Sequence, residues 1–284
     1  MTIIYCYHVS MRFASYNIMS GGFSSYSYDT PRPERLELIK KAVSMFHADL
    51  VSLVDTFRWD EIFSADEIAS MFGYKNAYCI NLNDDRLRKK GHNNGITVMS
   101  NLGGTQFETI SLGSRDAVRT SINIEGKHLD IYSIYLDDLS EDSRLLQLSQ
   151  LLGQIRPGNT SVLMGDFNTL SKNDLPQTDP QINNFYAKNP GLLQSYEHIL
   201  ADMKRGEVIS TLEINGFVDA SKSPTPTAPT KLFPAVVTEP FLRLDYAFIK
   251  GEMRAKNFRV MSDAIFAESS DHYPIVLELA PSLV

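Results

Sequence analysis

Short apolar runs recur along the chain, and many of them are rich in β-branched and aromatic residues. Runs of this length and composition are typical of β-strands. The segment Leu50–Val54 is an apolar run of the kind found in a strand that is covered on both faces. The pattern predicts strands at Arg12–Ile18, Leu50–Val54, Ala77–Asn81, Ile96–Ser100, Gln106–Leu112, Val118–Ile124, Leu129–Leu136, Val162–Met164, Leu244–Ile249, Phe258–Met261 and Ile275–Leu279.

Segments with a helical period interrupt these strands, so the pattern predicts an α/β or α+β class. Pro33–Ala48 is predicted to be a helix, since Pro33 suits a first helical turn and one face is apolar, with Leu36, Ile39, Val43 and Phe46. A second helix is predicted at Asp60–Phe72. A third begins after Ser140, with acidic residues in its first turn. Its buried stripe is predicted to consist of Leu145, Leu148, Leu152 and Ile155.

Two polar segments separate the later elements. Ser171–Arg205 has scattered Asn, Gln and Pro residues and is predicted to be an insertion with one helix, at about Leu192–Met203. Such an insertion could shape the substrate pocket. Ser221–Thr230 is predicted to be an extended loop, because its prolines each remove a backbone donor.

The length of 284 residues and a hydrophobic content of 43% are sufficient for a sizeable core. We expect a single domain at residues 11–284. Residues 1–10 are a candidate leader, because Met11 directly precedes the first predicted strand. They lack the features of a secretory signal, and no run approaches a membrane span, so a cytoplasmic location is expected. The two cysteines, Cys6 and Cys79, form neither a disulfide framework nor a zinc motif.

Charge narrows the range of substrates. The formal net charge is −7, which argues against a broad basic surface for duplex nucleic acid without excluding a nuclease. One basic run, Arg86, Arg88, Lys89 and Lys90, lies in a segment predicted to be a loop. We interpret it as a solvated surface, with steering of an anionic substrate as the alternative.

Polar residues lie at the ends of several predicted strands. Each has a simple structural interpretation when taken alone. Asp166 and Asn168 could form a turn, His272 could be a buried histidine with satisfied partners, and Asp245 could pair with Arg243. The segments are Ala14-Ser15-Tyr16-Asn17-Ile18, the strand Leu50–Val54 followed by Asp55, Gly165-Asp166-Phe167-Asn168, Arg243-Leu244-Asp245-Tyr246, and Ser270-Asp271-His272-Tyr273-Pro274.

In this order, the segments resemble the endonuclease/exonuclease/phosphatase superfamily, from about Met11 to Leu279. The resemblance implies a four-layer α/β sandwich, in which two mixed β-sheets pack face to face with helices outside, as in deoxyribonuclease I. It also implies metal-dependent hydrolysis of a phosphoester by direct attack of water. The cofactor is expected to be Mg²⁺ or Mn²⁺, because such hard cations prefer oxygen ligands.

The resemblance assigns roles to individual residues. Asp55 and Asp271 are the predicted metal ligands, and Asn17 orients the first of them or contacts the metal through water. Asp166 aligns and deprotonates the attacking water, while Asn168 donates to a phosphoryl oxygen. Because the two residues are two positions apart on a segment expected to be extended, their side chains would point to the same face of that segment. His272 binds a phosphoryl oxygen, and Asp245 orients its imidazole.

Two positions depart from the family pattern. Asp55 stands where the family usually has Glu, and Tyr135 stands where many members have His. Tyrosine does occur there in the exonuclease III-like branch, where its hydroxyl contacts the phosphate, so Tyr135 is also a candidate catalytic residue. Arg115 and Arg119 are interpreted as structural or solvated rather than phosphate-binding.

Several alternatives stay open at this point. A phosphodiester is favoured over a phosphomonoester, and the substrate is a phosphorylated small molecule, a lipid head group or a nucleic acid. The second interpretation is a DNA or RNA nuclease of the same superfamily. The third is a scaffold without catalytic activity that binds a phosphorylated ligand or a protein partner, although the sequence identifies no such partner.

Overall fold

The structure of the chain is a computed structural model that describes residues 10–25, 32–124, 126–233, 237 and 239–281. The candidate leader, apart from Ser10, lies outside these residues. Within the described part, the strands are β1 Met11–Asn17, β2 Leu50–Val54, β3 Asn76–Asn81, β4 Gly95–Ser100, β5 Gln106–Ser111, β6 Asp116–Ile124, β7 Lys127–Tyr135, β8 Thr160–Asp166, β9 Val218–Asp219, β10 Asp245–Lys250, β11 Met253–Val260 and β12 Ile275–Pro281.

The helices are interspersed among these strands. A single 3₁₀ turn at Ser20–Gly22 follows β1. The α-helices of the described residues are α1 Glu34–Ser44, α2 Trp59–Ile62, α3 Ala65–Phe72, α4 Asp85–Arg88, α5 Glu141–Gly153, α6 Leu175–Lys188, α7 Pro190–Arg205, α8 Glu207–Ile214 and α9 Ala264–Ser269. No described helix is both long and apolar enough to cross a membrane.

The described strands form two six-stranded mixed sheets. The first has the order β11-β12-β1-β2-β4-β3, and the second has the order β5-β6-β7-β8-β10-β9. Each sheet contains one central parallel pair, β1 with β2 and β7 with β8. The remaining pairs are antiparallel.

The alternating side chains of each strand separate the layers. Phe13 and Val54 point inward from the first sheet, where they meet Ile131 and Met164 of the second sheet. On the outer face of the first sheet, α1, α3 and α9 supply buried apolar side chains, and α5 and α8 do the same for the second sheet. This sheet-on-sheet arrangement with helices outside confirms the predicted four-layer class.

The predicted strands are all present, with one large difference in extent. β11 begins at Met253 rather than at Phe258. It is an edge strand with a bulge between Ala255 and Asn257, and it carries the exposed charged residues Arg254 and Lys256. Charged side chains and bulges are common on edge strands, and both obscure the apolar alternation that predicts a strand.

The helices differ more from the prediction than the strands do. Asp60–Phe72 is two helices, because Ser64 caps the second one in a reciprocal pair with Glu67. The basic run lies partly in the short helix α4 rather than in a loop. The insertion holds two helices, α6 and α7, where one was predicted; α6 contains Pro180, and its polar composition conceals a short apolar face.

The buried face of α5 also differs from the predicted stripe. Leu148 is buried as predicted, but Leu145, Leu152 and Ile155 are only partly buried. The other buried positions of this helix are Glu141, Arg144, Gln147 and Leu151. The polar ones bond to each other and to neighbouring loops: Glu141 accepts hydrogen bonds from the backbone at the start of α8 and from Arg144.

Candidate active site

Asp166 is the last residue of β8, and the glycine before it allows the strand to reach that position. Gly165 has φ 151°, a value that side-chain-bearing residues rarely adopt. A Cβ atom at this position would lie 2.0 Å from the carbonyl oxygen of Ile134 on β7. Only glycine therefore permits the close pairing of β7 and β8 that places Asp166 beside Tyr135.

Both carboxylate oxygens of Asp166 accept hydrogen bonds in a buried setting. Oδ1 accepts from the backbone N–H of Asn168 at 2.9 Å, and Oδ2 accepts from Nδ2 of Asn17 at 3.0 Å. Burial raises the pKa of the Asp166 carboxyl, and the nearby His272 opposes this rise. The structure thus gives the carboxylate a fixed orientation and a raised basicity.

Asn168 lies in a turn and not on an extended segment, so the geometric reason for pairing it with Asp166 was wrong. Its φ is 50°, in the left-handed region that asparagine tolerates well. The turn forms because Asp166 accepts the Asn168 N–H, as turn-forming aspartates do. One N–H of the Asn168 amide donates to the carbonyl oxygen of Leu136 at 3.0 Å, which leaves the second N–H of the group for a ligand.

His272 and Asp245 form a directly hydrogen-bonded pair. Nδ1 of His272 lies 2.8 Å from Oδ2 of Asp245, and both side chains are buried. Asp245 does not pair with Arg243, whose guanidinium instead bonds to Asp174 and Asp219. The alternative interpretation of Asp245 as a partner of Arg243 is therefore wrong.

The imidazole of His272 lies between carboxylates. Its Nε2 atom is 3.9 Å from Oδ2 of Asp166, on the side opposite Asp245. Burial lowers the pKa of His272, but the charges of Asp245, Asp166 and Asp271 outweigh burial and raise it. The geometry therefore favours a protonated ring whose Nδ1–H is held by Asp245 and whose Nε2–H faces Asp166.

Asp55 follows β2, next to the turn that follows β1. Its Oδ2 atom accepts a hydrogen bond of 2.8 Å from the backbone N–H of Ser20, and its φ is 59°. Burial raises the pKa of Asp55 to about 7; the Ser20 N–H opposes this, and the like charge of Asp271 adds to it. Asp55 and Asp271 thus act on each other electrostatically at the same end of the sheets.

Two groups of residues could hold a metal. Asp166, Asp245 and His272 offer ligand atoms within 4.8 Å of one another, but a protonated imidazole that is already bonded to Asp245 is a poor ligand. Asp55 and Asp271, with Asn17 nearby, offer only oxygen donors, which suit Mg²⁺ or Mn²⁺. Burial is the main cause of the raised pKa of Asp55 and the like charge of Asp271 adds to it, so a bound hard cation would favour the charged carboxylate.

Arg35 is a residue of the site that the sequence did not indicate. It is 1% exposed, and its guanidinium donates to the carbonyl oxygens of Ile18, Met19, Ser24 and Ser269. Its described contacts include no salt bridge. Burial lowers the pKa of the Arg35 guanidinium, and the negative charges of Asp271 and Asp55 act in the opposite direction. An arginine on a predicted helix is usually solvated, so only the tertiary structure identifies this one.

Tyr135 ends β7 and lies under the guanidinium of Arg115, with 4.8 Å between the Cζ atom and the ring centroid. Arg115 is fully buried and bonds to Asp84, Asp138 and the carbonyl oxygen of Leu136. Arg119 is paired with Glu108 on the neighbouring strand. Both arginines are therefore structural, which agrees with the sequence interpretation, and Arg115 supports the ring of Tyr135 from one side.

A cavity of about 190 Å³ opens beside these residues. One end is formed by Asn168, Asp271 and His272. The rest is lined mainly by apolar and aromatic side chains of α6 and α7 and by Ala228, Pro229, Phe233, Phe241, Leu242 and Leu244. The predicted insertion therefore borders the candidate site.

Comparisons with known proteins bear on the family and the fold. A sequence model of the Endonuclease/Exonuclease/phosphatase family matches residues 14–272. No curated protein sequence matches significantly.

Solved structures share the fold at low sequence identity. The endonuclease/exonuclease/phosphatase from Beutenbergia cavernae DSM 12333 has a TM-score of 0.64 and 18% identity, and the match covers 96% of this chain and 72% of that one. The human Nocturnin catalytic domain, solved with a bound sulfate anion, has a TM-score of 0.63 and 14% identity, with 96% and 95% covered. D. rerio TDP2, solved in complex with a single-strand DNA product, has a TM-score of 0.60 and 13% identity, with 95% and 98% covered.

Proposed function

The chain belongs to the Endonuclease/Exonuclease/phosphatase family, and we therefore propose that it is a divalent-metal-dependent hydrolase that cleaves a phosphodiester by direct attack of water. The observation that carries this proposal is the placement of His272 between two buried carboxylates, with Asp245 on Nδ1 and Asp166 3.9 Å from Nε2. This arrangement sets a proton acceptor and a proton donor side by side at the convergence of two sheets.

Asp166 is the proposed base. Its carboxylate is held by Asn17 and by the turn at Asn168, so an attacking water would meet an acceptor of fixed direction. Burial raises its pKa, which makes the carboxylate a better proton acceptor at neutral pH. No covalent intermediate is required, since water itself attacks the phosphorus.

His272 is the proposed donor to a phosphoryl oxygen. Asp245 holds Nδ1–H, so the ring presents Nε2–H toward the space next to Asp166. The second N–H of Asn168 and the hydroxyl of Tyr135 are the proposed additional donors. Preorganised donors of this kind stabilise charge that develops on the oxygens during the reaction.

Asp55 and Asp271 are the proposed metal ligands. Asn17 would act on the metal through water, because its described side-chain hydrogen bonds join it to Asp166 and to the Met19 N–H rather than to Asp55. A bound Mg²⁺ or Mn²⁺ would supply positive charge for the phosphoryl oxygens and the leaving group. The fit rests on the donor set, which is all oxygen, and on the like charges of Asp55 and Asp271, which a cation would offset.

A diester is favoured over a monoester by charge. The end of the cavity that Asn168, Asp271 and His272 form carries one amide, one carboxylate and one imidazole. A phosphodiester carries one negative charge, whereas a monoester carries up to two and needs more compensation. A nucleic acid stays the second candidate, because a structural neighbour, D. rerio TDP2, was solved with a single-strand DNA product.

The test is a metal-dependent activity screen of the purified full chain. Simple aryl phosphodiesters, phospholipids, nucleotides, sugar phosphates, DNA and RNA would each be assayed with Mg²⁺, with Mn²⁺ and with a chelator. Asp166→Asn, purified in parallel, controls for contaminating hydrolases. We expect a phosphodiester to be cleaved in the presence of metal and not by the variant. Turnover that is unaffected by chelation and by the variant, or no turnover of any class, would contradict the proposal.

A further inference from the structure

The cavity beside the catalytic residues has one polar end and one apolar end, and we call its apolar part the side pocket. The polar end consists of Asn168, Asp271 and His272. The side pocket is lined by apolar and aromatic residues, among them Phe185, Tyr186, Tyr196, Ile199, Phe233 and Phe241. A group that is esterified to a phosphate at the polar end would extend directly into it.

The aromatic residues of the side pocket form one continuous cluster. The ring centroids of Phe185 and Phe241 are 4.9 Å apart, and those of Phe185 and Tyr186 are 5.3 Å apart. Phe233 connects Phe185 to Tyr196, with centroid distances of 6.3 and 6.5 Å. These distances lie in the range of favourable aromatic pairs, so the rings of the wall stabilise one another.

The side pocket offers no charge to its occupant. None of its described lining residues is Lys or Arg. Asp138, which also lines the cavity, is already neutralised by Arg86 and Arg115 at 2.5 Å. An occupant with a second phosphate would find no cation here, and a cationic group would find no free carboxylate away from the metal ligand Asp271.

Size limits the occupant further. An apolar cavity of about 150 Å³ is sufficient to bind benzene. This cavity is about 190 Å³ in all, including the polar end, so beside a phosphate it accommodates a group of at most about one such ring and not a long acyl chain. We propose that the side pocket binds an uncharged organic group of about the size of one aromatic ring, which is esterified to the phosphate of the substrate. This inference rests on the proposed function, since the phosphate must bind at Asn168 and His272, beside the metal that Asp271 is proposed to hold.

Calorimetric titration of the full chain tests the inference by binding, and two of its probes, phenylphosphonate and methylphosphonate, have no ester bond that could be cleaved. Phenylphosphonate, methylphosphonate and phosphocholine would each be titrated in the presence of Mg²⁺. We expect phenylphosphonate to bind at least about tenfold more tightly than methylphosphonate, because the ring buries apolar surface. We also expect it to bind more tightly than phosphocholine, whose quaternary ammonium carries a charge.

Two variants on α7 locate the binding. Ile199→Trp fills the side pocket and should remove most of the preference for phenylphosphonate over methylphosphonate. His198→Trp adds the same bulk at an exposed neighbouring position and should leave the preference unchanged. Tyr196→Ala, which removes a ring of the wall, provides a second test if Ile199→Trp does not fold, and it should also reduce the preference.

The outcomes separate this inference from the proposed function. Equal affinity for the phenyl and methyl compounds, no measurable binding of phenylphosphonate, or tightest binding of phosphocholine would each overturn the assignment of the pocket. An active hydrolase with any of these results would leave the proposed function standing. A preference for phenylphosphonate that is lost in Ile199→Trp, in a protein that cleaves no phosphoester, would support the pocket and contradict the activity.

Discussion

Nδ2 of Asn17 donates a hydrogen bond of 3.0 Å to Oδ2 of Asp166, and this bond joins the last residues of strands that belong to different sheets. Oδ1 of Asn17 meanwhile accepts from the backbone N–H of Met19, which fixes the orientation of the amide. The candidate base is thus held across the interface between the sheets as well as by its own strand.

Asn17→Ala tests this connection. Loss of the donor should let the Asp166 carboxylate move, and small displacements of a catalytic group cost up to about 100-fold in rate. We expect kcat to fall by about 10- to 100-fold while the protein stays folded, as measured by steady-state kinetics and circular dichroism. Asn215→Ala, at an exposed helix end, is the matched control. Equal rates in the two variants would show that Asn17 does not position the base.

Asp166→Asn removes the proton acceptor and keeps the volume of the side chain. We expect turnover to be abolished with little change in the thermal midpoint of unfolding. Asp85→Asn, an exposed substitution on α4, should keep full activity. A rate in Asp166→Asn of at least a tenth of the wild-type rate would be incompatible with its role as the base.

The hydrogen-bonded pair of His272 and Asp245 is tested by His272→Ala and Asp245→Asn. Loss of a preorganised donor costs on the order of 100-fold or more in kcat, so we expect at least this effect for His272→Ala. The Asp245→Asn change should slow the wild type but add little to His272→Ala, because the two residues act as a unit. Additive effects in the double variant, measured by kcat, would separate Asp245 from His272.

The inner strands could be predicted from the sequence because they are buried on both faces and therefore form short, nearly continuous apolar runs. Phe13 and Val54 face the space between the sheets, and the bounds of β2 agree residue for residue with the apolar run. The helices of the insertion were harder to predict. Their apolar residues, such as Ile182 and Phe185, form a separate small core with Leu170 and Phe241, whose sequence distance hides the contact.

The residues of the candidate site also differ in how well the sequence predicts them. The order of Asp166, Asp245 and His272 along the chain indicated a shared site, and the structure places the three within 4.8 Å. Arg35 could not be predicted, because its significance lies in carbonyl groups that only the fold brings together. A pattern of residue types does not report where backbone acceptors point.

Arg35→Met tests the structural role of this arginine. The variant would leave buried carbonyl groups of the turn after β1 and of Ser269 without donors, and hydrogen bonds to charged groups contribute about 1.5–3 kcal/mol each. We expect the free energy of unfolding in urea to fall by about 3 kcal/mol or more. Arg32→Met, which removes a surface pair with Glu34, should change it by less than about 1 kcal/mol. Equal stability of the two variants would contradict the proposed role.

Asp55 gives the sharpest test of the proposed metal site. Mg²⁺ holds its oxygen ligands at roughly 2.0–2.1 Å with little tolerance, so a side chain one methylene shorter than Glu binds directly only if the backbone lies closer, or else through water. One carboxylate oxygen of Asp55 already accepts the Ser20 N–H, which favours weak or water-mediated binding. We expect activity to need millimolar metal, to prefer Mn²⁺, and to need still more metal in Asp55→Ala.

Asp55→Glu distinguishes the two geometries. A longer side chain should displace an intervening water and tighten metal binding, or it should clash with a backbone that already lies close and weaken it. Either change, measured by calorimetric titration with Mg²⁺ and Mn²⁺, would place Asp55 at the metal, whereas the exposed Asp66→Ala should alter nothing. If the wild type binds no metal and neither Asp55 variant changes any measured activity, Asp55 is not a ligand. The catalytically inactive scaffold then becomes the better interpretation, because neither a closer backbone nor an intervening water would connect the shorter Asp55 carboxylate to a metal.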